Sequence, residues 1–204
     1  MKDRGSYKLE FHPVLDGRPC PYVVVEGPLA KQVAGLALIR EDLQAVKAVL
    51  ARIDPHTEDF VGNKALLFGA VSLYGKCFTQ ADGRGVKLDP KHVFANSDER
   101  ESHDRLIQLR HEYVSHGGKA REEQLKIILL LDPDDTNKRF RGLVGHGASA
   151  HGLDQQARDE CLATVSHVEA YVDRALKRAT ETLSTKLVAA GENWAYEHAI
   201  WPGA

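Results

Sequence analysis

LAKQVAGLALIREDLQAVKAVLARI, residues 29–53, decides the class of fold. Val33, Leu36, Ala37, Ile39, Leu43, Val46, Val49 and Leu50 recur at intervals of three and four, the period that stacks side chains on one face of an α-helix. Pro55 stops this helix, because its ring removes a backbone donor and disfavours helix in the preceding residue. The same period returns further along. Phe60, Leu66, Leu67, Ala70, Val71, Leu73 and Tyr74 predict a second helix, capped by Thr57 or Asp59 and ending near Thr79, with an apolar face broad enough for a central position. A third starts at the acidic stretch Ser97-Asp98-Glu99-Arg100-Glu101 and buries Leu106, Ile107, Leu109, Tyr113 and Val114. It closes at Gly117-Gly118, where glycine accepts the left-handed conformation of a helix end. The last, residues 154–190, spaces Ala157, Cys161, Val165, Val168, Tyr171, Val172, Ala175 and Leu176 helically. Four long helices are the count of a bundle.

Between the third and fourth helices the period changes. Residues 124–131 (QLKIILLL) are apolar over the length of a strand, Asp132-Pro133-Asp134-Asp135 is a turn, and residues 140–144 return as a partner strand. The expected fold is therefore mainly α, an antiparallel four-helix bundle with a small β-hairpin insertion before the last long helix, at about residues 124–145. Residues 1–204 form one domain in this reading. Pro13, Pro19, Pro21 and Pro28 make residues 1–28 an extended arm, with a short strand at Tyr22-Val23-Val24-Val25. Residues 191–204 carry Trp194 and Trp201, a tail that docks on the domain or meets a second subunit.

Composition narrows the function classes. A chain of 204 residues that is 43% hydrophobic can bury a sizeable core. Its net charge of −2 supplies no global field for a nucleic acid or an anionic membrane, so any polyanion site must be local. Neither a secretory signal nor a membrane span is visible, and the expected address is the cytoplasm. Cys20, Cys77 and Cys161 lie far apart without paired spacing, so they read as reduced, mostly buried thiols. No metal or other cofactor is expected.

The chemistry concentrates in Arg110-His111-Glu112-Tyr113-Val114-Ser115-His116. Spacing alone does not single it out. Chance gives roughly two cases of an arginine followed by a histidine after four to six residues, and the chain has four: Arg105/His111, Arg110/His116, Arg139/His146 and Arg141/His146. On a straight α-helix Arg110 and His116 stand about 120° apart around the axis and about 9 Å apart along it. They converge if the helix unwinds before Gly117, or if a second copy crosses it and each protomer completes the other's site. His103 lies seven residues before Arg110, close to the same face, as a third member of the set. Such a set suits metal-independent RNA cleavage: an imidazole moves the proton of the 2′-hydroxyl or the leaving oxygen, and a guanidinium stabilises charge developing on phosphorus. Tyr113 could stack a base or donate a hydrogen bond. The competing reading pairs Arg110 with Glu112 or Asp104, makes His116 a cap of helix-end carbonyls and puts Tyr113 in the core.

The run Leu106-Ile107-Gln108-Leu109-Arg110-His111-Glu112-Tyr113-Val114-Ser115-His116 resembles the signature of the HEPN superfamily, in which an arginine and a polar residue precede a histidine late in a bundle helix. The resemblance implies an all-α domain, dimeric sites and, in many members, metal-independent ribonuclease activity in toxin–antitoxin systems, phage defence or RNA processing. It carries over Arg110 as transition-state stabiliser, His111 as the polar motif residue and His116 as general acid and base. The inserted hairpin and the tryptophan-containing tail depart from a minimal domain of this kind. Relatives without activity serve as binding modules.

Two further clusters are weaker. Lys76 on the second helix, with Arg84 and Lys87, offers a local basic rim for RNA, beside His111 and Tyr113. His146 and His151, among Gly142, Gly145, Gly147 and Gly152 and around Ser149, lack the spacing of a helical zinc pair, of a phosphate loop or of a nucleophile elbow. They read as a flexible exit from the hairpin. Two functions follow: a metal-independent endoribonuclease, acting as a homodimer on RNA, or a catalytically silent dimer whose same face binds a partner protein, an antitoxin or a nucleotide.

Overall fold

The computed structural model describes residues 13–80, 84–95, 99–115, 123–133, 139–149 and 152–201. The chain is mainly helical, with two small antiparallel hairpins. Helix α1 spans Pro28–Leu50 and opens on a proline, which suits a first helical turn because its missing N–H has no partner there anyway. Helix α2, Phe60–Cys77, is capped by Asp59, whose carboxylate accepts from the Gly62 amide at 2.8 Å. A short helix α3 covers Pro90–Val93, and α4 runs over Arg100–Leu109. The longest helix, α5, is Gln155–Ala190; Asp154 caps it through the Ala157 amide, and a short α6, Glu192–Glu197, follows.

The apolar stripes foretold by the period meet in one core. Ile39, Leu43, Val46 and Leu50 of α1 lie buried with Leu67, Val71 and Tyr74 of α2 and Val165, Val168 and Val172 of α5. Each such side chain contributes about 1.5–3 kcal/mol by leaving water. Helix α1 packs on both α2 and α5, and α4 packs on α2 and α5. Ion pairs between Lys47 and Glu169, at 2.8 Å, and between Arg40 and Asp173, at 2.9 Å, edge the α1–α5 seam.

Three departures from the sequence reading have physical reasons. The third helix does not run on as α-helix: from Arg110 to Ser115 the backbone widens into a π-helical segment, packed on α2. The inserted hairpin is longer than 124–145, because β3 (Glu123–Leu131) pairs with β4 (Phe140–Ser149), and the glycine-rich stretch continues the strand where an exit loop was expected. The N-terminal arm forms a tiny hairpin, β1 (Val14–Leu15) with β2 (Arg18–Pro19), whose turn uses Asp16 and Gly17 at positive φ. Tyr22 does not begin a strand of its own but exchanges backbone hydrogen bonds with Ile200, so the arm and the C-terminal tail tie each other down. No helix among the described residues is long and apolar enough to cross a membrane.

Candidate active site

Arg110 is the first residue of the π-helical segment, where the α4 hydrogen-bond pattern gives way to the wider i to i+5 turn. Its side chain crosses to the last turn of α2 and lies over Gly75. A Cβ at position 75 would stand 2.0 Å from Arg110 Cδ and 2.7 Å from Nε, so glycine is what lets the arginine stem pass. Beyond it, Arg110 Nη1 donates to Thr79 Oγ1 at 2.9 Å, and the Thr79 hydroxyl donates to the Gly75 carbonyl at 2.9 Å. A hydroxyl has one proton to give and lone pairs to receive with, so this chain of bonds is complete at Thr79.

The carboxylates that could have neutralised Arg110 are engaged elsewhere. Asp104 takes Arg100 Nε at 3.0 Å, and Glu112 accepts from Gln108 at 3.2 Å. Among the described residues no carboxylate pairs with Arg110, and its partner is a neutral hydroxyl. Among the described residues one of the five guanidinium N–H donors is thus given to Thr79.

Other candidates fall in different places. Lys76, on the same α2 turn, is exposed and sits 3.3 Å from Asp42, which also binds Arg84. Two cations thus share one carboxylate of α1. The Arg84 side chain is buried against Asp42, so it belongs to this cluster and not to an open rim; Lys87 is exposed. His111 is exposed on the π-helical segment.

His103 and Tyr113 face inward. His103 is 2% exposed, enclosed by the rings of Tyr74, Phe78 and Phe94, and Tyr74 Oη lies 2.8 Å from its Nδ1. Burial raises the Tyr74 phenol well above its usual range, so Tyr74 is a neutral hydroxyl bonded to the His103 ring. Burial also lowers the His103 pKa to about 4, which leaves the ring neutral near pH 7. In this position it does not touch a solvent-side substrate. Tyr113 is 5% exposed, set edge-to-face on Phe68 at 5.0 Å, with the Lys64 ammonium 5.2 Å from its ring centroid. Its ring is part of the core, not a stacking platform.

No family model, curated protein or solved structure matches this chain.

His116, expected from the sequence as the acid–base group, and Gly117-Gly118 lie outside the described residues, as does His151. His146 stands on β4 opposite Lys126, an exposed cross-strand pair. Sequence reasoning missed Gly75, Thr79 and Asp42. The available signal was Gly75 itself, a glycine inside an otherwise strong helix, which often marks a close approach by another group.

Proposed function

We propose that this chain is a HEPN-like helical protein acting in the cytoplasm as a metal-independent endoribonuclease, in RNA processing, a toxin–antitoxin pair or phage defence. In this reading α1, α2, α4 and α5 are the four helices of such a domain, and a homodimer brings two motif segments together. Arg110 stabilises the charge that develops on phosphorus as the 2′-hydroxyl attacks and the 5′-oxygen leaves. His116 carries the proton between those oxygens. His111 and Lys76 offer exposed polar contacts to the RNA backbone.

One observation carries this reading: a charged arginine held by Gly75 and Thr79, without a carboxylate partner among the described residues, at the start of a π-helical turn that leads towards His116. Widened turns of this type cluster at functional sites, and an unneutralised, positioned guanidinium suits a phosphate better than a structural ion pair. The test is incubation of wild type, Arg110→Ala and His116→Ala with several RNAs in EDTA. Cleavage by the wild type that both folded variants lose supports the enzyme. Absence of wild-type cleavage on every RNA overturns it.

A second reading is favoured by the inward positions of His103 and Tyr113, which leave fewer groups for chemistry. In it the same face is a non-catalytic dimer surface that binds a nucleotide or a partner protein through Arg110.

A further inference from the structure

Among the described residues no helix packs extensively on the β3–β4 hairpin. Every apolar side chain described on it is 42–78% exposed, although a lone two-stranded ribbon in water is only marginally stable. Its two faces differ. Register places Leu125 opposite Gly147, Ile127 opposite Gly145 and Leu129 opposite Leu143 on one face, which continues past a bulge to Leu131 opposite Phe140. The reverse face carries Lys126 opposite His146, and then Ile128, Val144 and Leu130. From Leu125 to Leu131 the first face is apolar, with Glu123 opposite Ser149 at its far end, whereas the reverse face is interrupted at its middle by Lys126 and His146.

We infer that the Leu125/Ile127/Leu129 face is where two copies of this chain meet, hairpin against hairpin. The number of copies rests on the dimeric reading above; the place rests on the hairpin. Two observations favour a second copy as the occupant. Large apolar side chains line β3 while Gly145 and Gly147 on β4 add none and Leu125 folds over Gly145, so a two-fold axis can set the β3 ridges of two copies against each other. The six side chains Leu125, Ile127, Leu129, Leu131, Phe140 and Leu143 expose roughly 700 Å² together, close to the ~800 Å² per partner of a stable interface. The turn end of the hairpin carries Asp132, Arg139 and Arg141, with Arg141 on Asp132 at 2.6 Å, and charges there oppose insertion into lipid.

The experiment measures the solution mass of the full chain by light scattering, for wild type, an Ile127→Lys/Leu129→Lys double variant and an Ile128→Lys variant of the reverse face. The wild type is expected at twice the chain mass of 22.6 kDa, the double variant at that mass with unchanged helical circular dichroism, and Ile128→Lys still dimeric. A cysteine at the two-fold gives a second readout: Ile127→Cys in a Cys20→Ser background should cross-link between subunits with a short bis-maleimide. A double variant that stays dimeric overturns the inference and moves the two-fold to the helices, which leaves the dimeric reading standing. A monomeric wild type overturns both, as does a monomer that floats with vesicles of phosphatidylcholine and phosphatidylglycerol. An Ile127→Cys chain that fails to cross-link, or dissociation by Ile128→Lys, overturns the choice of face.

Discussion

The side chain of Arg110 rests on Gly75, and no residue with a Cβ could occupy position 75 without displacing it. Thirty-five residues separate the two in sequence, so this contact exists only because the π-helical segment packs on α2.

Gly75→Ala tests whether that contact positions a working arginine. The new methyl pushes aside a flexible stem, and alanine is the better helix former by about 1 kcal/mol, so global stability should hold. Cleavage of RNA should fall, by on the order of 100-fold, as expected for a misplaced transition-state group. Thr79→Val keeps the shape and removes the hydroxyl relay; it should lower stability by about 1 kcal/mol and loosen Arg110 with a smaller loss of rate. Thermal unfolding and single-turnover cleavage on the same preparations separate the two effects.

Acid should weaken the fold through His103. Its folded pKa is about 4 against an ordinary 6.5, because burial opposes the charged ring. Between these values the unfolded chain binds a proton that the folded chain does not, so stability is full above about pH 6.5 and declines as the pH falls towards 4. The loss approaches roughly 3 kcal/mol at the bottom of that window. His103→Leu leaves the Tyr74 hydroxyl without its partner and should be less stable at neutral pH, yet it should lack this slope. Denaturant titrations across the window, for both chains, measure the difference.

Thiol chemistry reports on the same core. Burial pushes Cys77 up to about 12 and Cys161 up to about 11, so neither offers much thiolate near neutral pH. Cys20 is partly exposed on the arm. Maleimide should label one thiol quickly in the native protein and all three only after unfolding, and mass spectrometry should find the fast adduct on Cys20.

The helices were legible because burial dictates their period: Leu36, Ile39, Leu43, Val46 and Leu50 are buried where spacing put them. His103 could also have been placed, since it precedes Leu106 and Leu109 by three and six residues, and all three face the core. The π-helical turn at residues 110–115 was not legible, because side-chain chemistry does not distinguish it from α-helix and packing decides it. The partners of Arg110 were hidden for the same reason. Local spacing suggested Asp104 and Glu112, which bind Arg100 and Gln108, whereas the real contacts come from the end of α2, far off in sequence. Strand β4 was read short because glycines at 142, 145 and 147 look like a loop, yet across from a β-branched and leucine-rich strand they can pair without side chains of their own.

The central claim is that Arg110 and His116 break RNA by moving its own 2′-hydroxyl onto the neighbouring phosphorus. Its most direct measurement is the chemistry of the RNA ends after incubation in EDTA. The wild type should leave 2′,3′-cyclic phosphate and 5′-hydroxyl ends, and Arg110→Ala and His116→Ala should leave the RNA intact. Ends of any other kind, or cyclic phosphate formed equally well by the two variants, would contradict it.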